Sequence, residues 1–261
     1  RVHTRRLDRW DAVCGRAVHA LRCPSPNGAV DRRSSFLHCE TVRATLIAHY
    51  STKVEGPLPA MLTALRALLP PPKIRSLAAL QQFLDREAAH VAQRSIIDFS
   101  RNELGNLSPH AFEDDRFLKK LAVCRWEGFA SVLADMTVLA HAHLVQAGFD
   151  RATLDRRLGD LYEAILTGHP LPDHRRDEGR TWQAEIAMLR QRLSERPAGP
   201  AHPQADAEVT GAKVFETLPF PPRDPRENRM VLANAFAFGL IAVNDRMRRL
   251  VVMSALREEL K

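Results

Sequence analysis

The sequence predicts an all-α protein. Apolar residues recur three and four apart along several long segments, which is the helical period. Prolines and glycines stand mainly at the ends of those segments. Strand signals are nearly absent: no run of Val, Ile, Thr and aromatics alternates with polar residues, and no Asn-Gly or Asp-Gly turn joins two such runs. With 261 residues, 45% of them hydrophobic, the chain has enough apolar surface to close a core. A net charge of +7 over that length excludes a wholly disordered chain, and 12 Gly with only 4 Cys exclude collagen and a disulfide-stapled mini-protein.

Each expected helix has its own punctuation. Thr4 caps a first helix over 4–22, stopped by Pro24-Ser25-Pro26-Asn27-Gly28. Ser34 or Ser35 opens a second, running through Phe36, Val42 and Leu46 to Tyr50. Gly56-Pro57-Leu58-Pro59 leads into a short third helix over 60–69, ended by Pro70-Pro71-Pro72. Ser76 caps a long fourth helix to Glu103, followed by Gly105. Ser108-Pro109 places proline in the first turn of a very long fifth helix to Gln146, with a break expected near Asp114. Gly148 stands where a left-handed cap is expected, and Asp150 starts a sixth helix to Thr167. Trp182, Ile186, Leu189 and Leu193 then form a short helical seam. The segment 209–218 is the one strand candidate.

These elements predict an antiparallel, bundle-like helical domain over 1–170, with the fourth and fifth helices as its central pair. A helical extension over 171–196 follows, then a Pro-rich linker over 197–228. The chain closes with a C-terminal helix over 229–261, its helical pattern starting at Arg226 and its end basic at Arg246, Arg248 and Arg249.

Charge is unevenly placed. The basic residues are 32 Arg and 6 Lys, a skew compatible with a GC-rich bacterial coding background, so Arg abundance alone argues for little. Residues 1–33, however, hold eight Arg against three Asp. Such an excess attracts phosphates and anionic headgroups, so weak contact with an anionic membrane or nucleic acid is one expectation. Cys14, Cys23, Cys39 and Cys124 have no paired spacing, and reduced thiols in a cytoplasmic protein are expected. The apolar stretches 128–148 and 230–243 read as core helices. The first carries Asp135, His141, His143 and Gln146, and the second is shorter than the roughly 20 apolar residues of a span. No transmembrane segment is expected.

Four groups of residues are candidates for chemistry. Glu87 and His90, three apart on one helix face, match half of a dinuclear metal motif, but no second Glu-x-x-His exists in the chain. Arg94 continues the same stripe. Asp135 lies in an otherwise uncharged stretch, where a buried carboxylate needs a partner. Arg94 is the expected partner, with His90 the alternative, so Glu87, His90, Arg94 and Asp135 form a candidate polar cleft. Cys14, Cys23 and Cys39, with His19 and His38, are weak zinc candidates because no Cys-x-x-Cys pair exists. The fourth group is the C-terminal helix: Phe236, Phe238, Leu240 and Ile241 must bury somewhere, and Arg246, Arg248 and Arg249 follow them as partner contacts.

No nucleophile elbow, phosphate loop, zincin motif or dinucleotide fingerprint is present in the sequence, and no cofactor is expected. The sequence therefore points to a non-catalytic helical interaction or assembly protein, whose apolar helix docks on itself, on a protein partner or in a homo-oligomer. The rivals are a helical enzyme or metal protein using the polar cleft, and a binder of anionic membrane or nucleic acid through the basic N-terminus.

Overall fold

The structure, a computed structural model, describes residues 72–197 and 199–260. The chain divides into two units, 1–72 and 73–261. The helices expected before residue 71, the N-terminal Arg cluster and Cys14, Cys23 and Cys39 lie outside the described residues.

The second unit is all-α. Among the described residues the one departure from helix pairing is an isolated parallel bridge between Ile74 and Val251. Helix α1 (Leu77–Leu104) starts where the Ser76 hydroxyl accepts the Ala79 N–H at 3.1 Å, and it ends at Gly105, whose φ of +51° favours glycine. A 3-10 turn (Gly105–Leu107) and the short α2 (Ser108–Ala111) follow. The expected break then occurs: the Asp114 carboxylate accepts the Phe117 N–H at 2.7 Å and starts α3 (Asp115–Gln146). Gly148, with φ +80°, turns the chain toward α4 (Arg151–Gly168), which Asp150 caps through the Thr153 N–H. Next come α5 (Asp173–Asp177) and α6 (Gln183–Glu195).

Beyond α6 the structure departs from expectation. The segment expected as a linker carries α7 (Pro203–Glu216), and the strand candidate is the second half of that helix. Ala207, Thr210, Gly211 and Val214 are buried along one face, so this is a packed helix that the surrounding prolines disguised. The final helix is also two. Asp224 caps α8 (Pro225–Leu250), and α9 (Met253–Glu259) follows a break at Val251 and Val252. The break exists because the backbone there pairs elsewhere: Ile74 N–H donates to Leu250 O, and Val252 N–H donates to Ile74 O, both at 2.9 Å. Glu259 then reaches the first turn of α1, accepting the Leu77 N–H at 2.7 Å, where a helix N-terminus favours an anion.

Helix α3 is the axis of this unit. It packs against α1, as expected, and also against α4, α6, α7 and α8. Most of its length from Leu121 to Leu144 is buried on every face. The seam residues Trp182, Ile186, Leu189 and Leu193 are buried as well. By length and composition alone both α3 and α8 could cross a membrane, a test that a buried core helix also passes. They differ in cover. The most apolar window of α3 is 78% buried within the unit, and that of α8 only 39%.

Close approach of α7 and α8 depends on Gly211. A Cβ there would stand 2.7 Å from Ala233 Cα and 3.1 Å from its nitrogen, both backbone atoms that cannot rotate away. Gly211→Ala should therefore lower stability by about 1–3 kcal/mol, the range for overpacking. Gly168→Ala, with nothing within 4 Å of the added carbon, should leave the thermal melt nearly unchanged. Equal melting temperatures for the two variants would contradict this packing.

Candidate functional site

Helix α3 brings two carboxylates into the core, and each is met by an arginine from the region after α4. Glu127 meets Arg175, the largest fully buried side chain of the unit. Arg175 Nε and Nη2 donate to the two oxygens of Glu127 at 2.7 and 2.6 Å. Its Nη1 and Nη2 donate to Glu185 at 3.0 and 2.6 Å, and Nη1 also reaches Thr181 O at 2.9 Å. All five guanidinium N–H groups are thus used. The Trp182 ring lies 3.7 Å from the guanidinium carbon, a cation–π contact in a desolvated place. His174 Nε2 stands 2.9 Å from Glu127 and Lys213 Nζ 3.7 Å from Glu185. Burial pushes both carboxyls up, but the hydrogen bonds and charge of Arg175 outweigh it and hold them below the usual carboxylate range.

Asp135, two turns further along α3, is fully buried. Its partner is not Arg94. Arg192 of α6 donates to Asp135 Oδ1 at 2.7 Å, and the Thr210 hydroxyl of α7 donates to Oδ2 at 2.6 Å. Arg192 is shared, because its other terminal nitrogen bonds Asp206 at 2.7 Å. Burial, only partly offset by Arg192 and Thr210, pushes the Asp135 carboxyl up to about 7. Arg94 instead lies on the exposed side of α1, 3.5 Å from Asp98 one turn away. The expected register pair fails for a rotational reason: Arg94 is on the outer face of α1, not on the face toward α3.

The remaining members of the candidate cleft are also dispersed. Glu87 is buried and pairs with Arg246 of α8 at 2.7 Å and with Arg86 at 3.3 Å. His90 is exposed. His141 is buried, its Nε2 2.7 Å from Asp155, and burial holds its proton affinity below that of an ordinary histidine. Its Nδ1 has no partner, nor has the buried Nε2 of His143. Cys124 is buried, and burial pushes its thiol up to about 11, so it is a packing residue. Among the described residues no three His, Cys, Asp or Glu side chains gather as metal ligands would. The arrangement around Asp135 joins helices. Asp135 itself is closed off from solvent.

Helix α8 carries several exposed apolar residues. Phe236, Leu240 and Val243 are fully buried on one side, so Phe236 and Leu240 belong to the chain's own core and not to a partner contact. On the other side Phe238 is 73% exposed, with Val231, Met230 and Ile241 also exposed. Ala242 extends this bare surface, and Asn234 is the polar residue within it. Beside it, between antiparallel α1 and α8, runs a groove of about 380 Å³. Val91, Phe99, Ala235 and Gly239 line it together with His90, Arg94, Ser95, Asp98, Asn102 and Arg246. The two helices come this close because residue 239 is glycine: an added Cβ would sit 2.6 Å from Val91 Cγ1. Arg248 and Arg249 lie exposed beyond the groove, at the basic end of α8.

No protein-family model matches this chain, and no curated protein or solved structure shows significant similarity to it. The site therefore stands on its geometry.

Sequence reasoning found Asp135 but missed its partners and missed Glu127 altogether. The uncharged stretch around Asp135 begins at Gly128, one residue beyond Glu127. Arg175 leaves no such trace, since it sits in a short polar turn, His174-Arg175-Arg176, that has no helical pattern.

Asp135 makes a prediction about pH. A carboxyl with a raised folded-state pKa holds its proton where the unfolded chain has released it, so its stabilising contribution is full below about pH 4 and lost as pH rises to about 7. The stability of the wild-type chain relative to Asp135→Asn should therefore fall across that window, by at most about 1.4 kcal/mol per pH unit. Denaturant melts between about pH 4.5 and 7.5 check it. Parallel profiles for the two proteins would contradict the assignment.

Proposed function

We propose that this chain is a non-catalytic helical interaction protein that presents the outer face of α8, with the adjoining α1 groove, to a protein partner. The observation that supports it is the exposure of Phe238 at 73% on a helix whose opposite side is fully buried. An isolated exposed apolar residue needs no explanation. Here Val231, Ala235, Phe238 and Ala242 share the wall of one groove, and Met230 and Ile241 adjoin them. That is a contiguous patch of the kind that marks contact sites, interrupted only by Asn234. The groove wall combines these apolar residues with His90, Arg94, Ser95, Asp98, Asn102 and Arg246, a mixture of apolar and polar groups such as protein interfaces carry. Helix-in-groove recognition uses the same geometry, a third helix lying along two.

An enzyme using Glu87, His90, Arg94 and Asp135 has less support. Asp135 is engaged by Arg192 and Thr210, while His90 and Arg94 face outward. His90 and Arg94 line the α1–α8 groove, but the fully buried Asp135 is not part of its wall.

The test is the size of the native assembly. In extracts of its own cells the protein should migrate well above the 29.3 kDa of the chain. Phe238→Asp should return it to monomer size without lowering its thermal melt, because the side chain contributes little to the core. A wild-type protein that already migrates as a monomer overturns the reading.

A further inference from the structure

The bare face of α8 has a periodicity that goes beyond exposure. Glu227, Val231, Asn234, Phe238, Ile241, Asp245 and Arg248 follow one another in strictly alternating steps of four and three, and every one of them is exposed. Alternating steps of four and three keep residues on one side of a helix and make the seam along which two helices pair. The core-facing residues Leu232, Phe236, Leu240, Val243 and Met247 form a second stripe on the opposite side. Helix α8 thus carries two seams, and its own unit covers one.

Charge along the outer seam discriminates between ways of filling it with a second α8. A parallel pair sets each residue beside its own copy, opposing Glu227, Asp245 and Arg248 to like charges. Reversed, the stripe falls on itself in two registers that match six of its seven positions. One pairs Val231 with the partner subunit's Ile241 and Asn234 with the partner subunit's Phe238, but opposes Glu227 to the partner subunit's Asp245, acid to acid. The other pairs Phe238 with the partner subunit's Ile241 on both sides of a two-fold axis between residues 239 and 240. It sets Asn234 against the partner subunit's Asp245, where the amide N–H can donate to the carboxylate. It also lays the aliphatic stem of Arg248 over the partner subunit's Val231, with the guanidinium one turn from the partner subunit's Glu227. In this register no like charges are opposed, and the unmatched Glu227 lies one turn from the partner subunit's Arg248.

We infer that the occupant of this face is a second copy of the chain, docked antiparallel along α8 with Phe238 on Ile241 and Asn234 on Asp245. The inference rests on the reading of α8 as a protein-contact surface and specifies its occupant. A two-fold interface requires a surface that binds its own image, and this seam has that property. The core-facing residues hold α8 to its unit, so the outer face is available without unfolding. Ala235 and Ala242 beside the seam are small and let the partner backbone approach. Arg94 and Asp98, of opposite charge in the groove wall, give the flank both signs, as a self-pairing surface needs.

The experiment is sedimentation equilibrium on the purified full chain over a wide micromolar range, at low and physiological salt. The wild type should sediment at twice the chain mass. Phe238→Asp should be monomeric with an unchanged helical melt, and Ile241→Asp, also on the seam, serves the same purpose should the first variant fold poorly. Asn234→Asp places acid against acid and should raise the dimer Kd about tenfold. Adding Asp245→Asn re-forms the same pair with its members exchanged and should restore wild-type Kd. Within one chain these two residues are about 16 Å apart along the helix, so their coupling reports only contact between copies. A wild type that is monomeric throughout overturns the inference, as does a dimer indifferent to Phe238→Asp. An exchanged pair no better than Asn234→Asp alone overturns the antiparallel register. A purified monomer whose native complex still dissolves on Phe238→Asp removes the second copy as partner but leaves the contact surface. Flotation of the monomer with phosphatidylcholine–phosphatidylglycerol vesicles, lost in Phe238→Asp and without a native protein complex, assigns the face to lipid and overturns both.

Discussion

The constraint on which the described unit depends is the burial of two carboxylates on one apolar helix. A helix as enclosed as α3 cannot carry Glu127 and Asp135 without cations beside them, since an unpaired buried charge costs several kcal/mol. The cations come from later in the chain: Arg175 from α5 and Arg192 from α6. Each then recruits a second acid, Glu185 and Asp206 respectively. The consequence is topological. To satisfy α3, the chain after α4 must fold back along it, and that return fixes where α5, α6 and α7 lie. Apolar packing supplies most of the attraction, while the ion networks select the register. Hydrophobic contact alone would tolerate sliding; a guanidinium with all five N–H groups engaged would not.

From that register follows the position of α8. Thr210 and Asp206 tie α7 to α3 and α6, and Gly211 brings α8 against α7 at backbone contact. Glu87 and Arg246 join α8 to α1 on its other flank. Helix α8 therefore has fixed neighbours on its inner side and none among the described residues on its outer one. Its apolar content exceeds what that enclosure can cover. The bare face is the remainder of a helix built for more burial than this unit provides, which is why its function is read as contact and not as chemistry.

Much of the fold was legible in the sequence, because the signals were local. Ser76 and Asp150 cap helices as their positions imply, the expected break falls at Asp114, and Gly148 takes the positive φ expected at a helix end. The misreadings share a cause. Helix α7 was hidden because the prolines at 197–203 and 219–225 frame a helix as readily as they interrupt a linker. Pro203, in its first turn, is a start signal. The division of α8 from α9 was not legible either, since it arises from pairing with Ile74, far away in sequence. The candidate site fared likewise. A lone Asp135 declares that it needs a partner but not which one, and Arg192 and Thr210 are distant in sequence. Phe236 and Phe238 look alike in the chain, and only the rotation of α8 separates core from surface.

The most direct test of the claim that buried ion pairing sets the register is to remove the charge in stages. Arg175→Met leaves Glu127 and Glu185 facing each other without their shared cation, and should cost about 3–5 kcal/mol in a denaturant melt. The triple variant Glu127→Leu/Arg175→Met/Glu185→Leu removes all three charges together, and the account predicts that it is more stable than Arg175→Met alone. A triple variant as unstable as the sum of the three single losses would contradict it, as would an Arg175→Met protein that melts like the wild type.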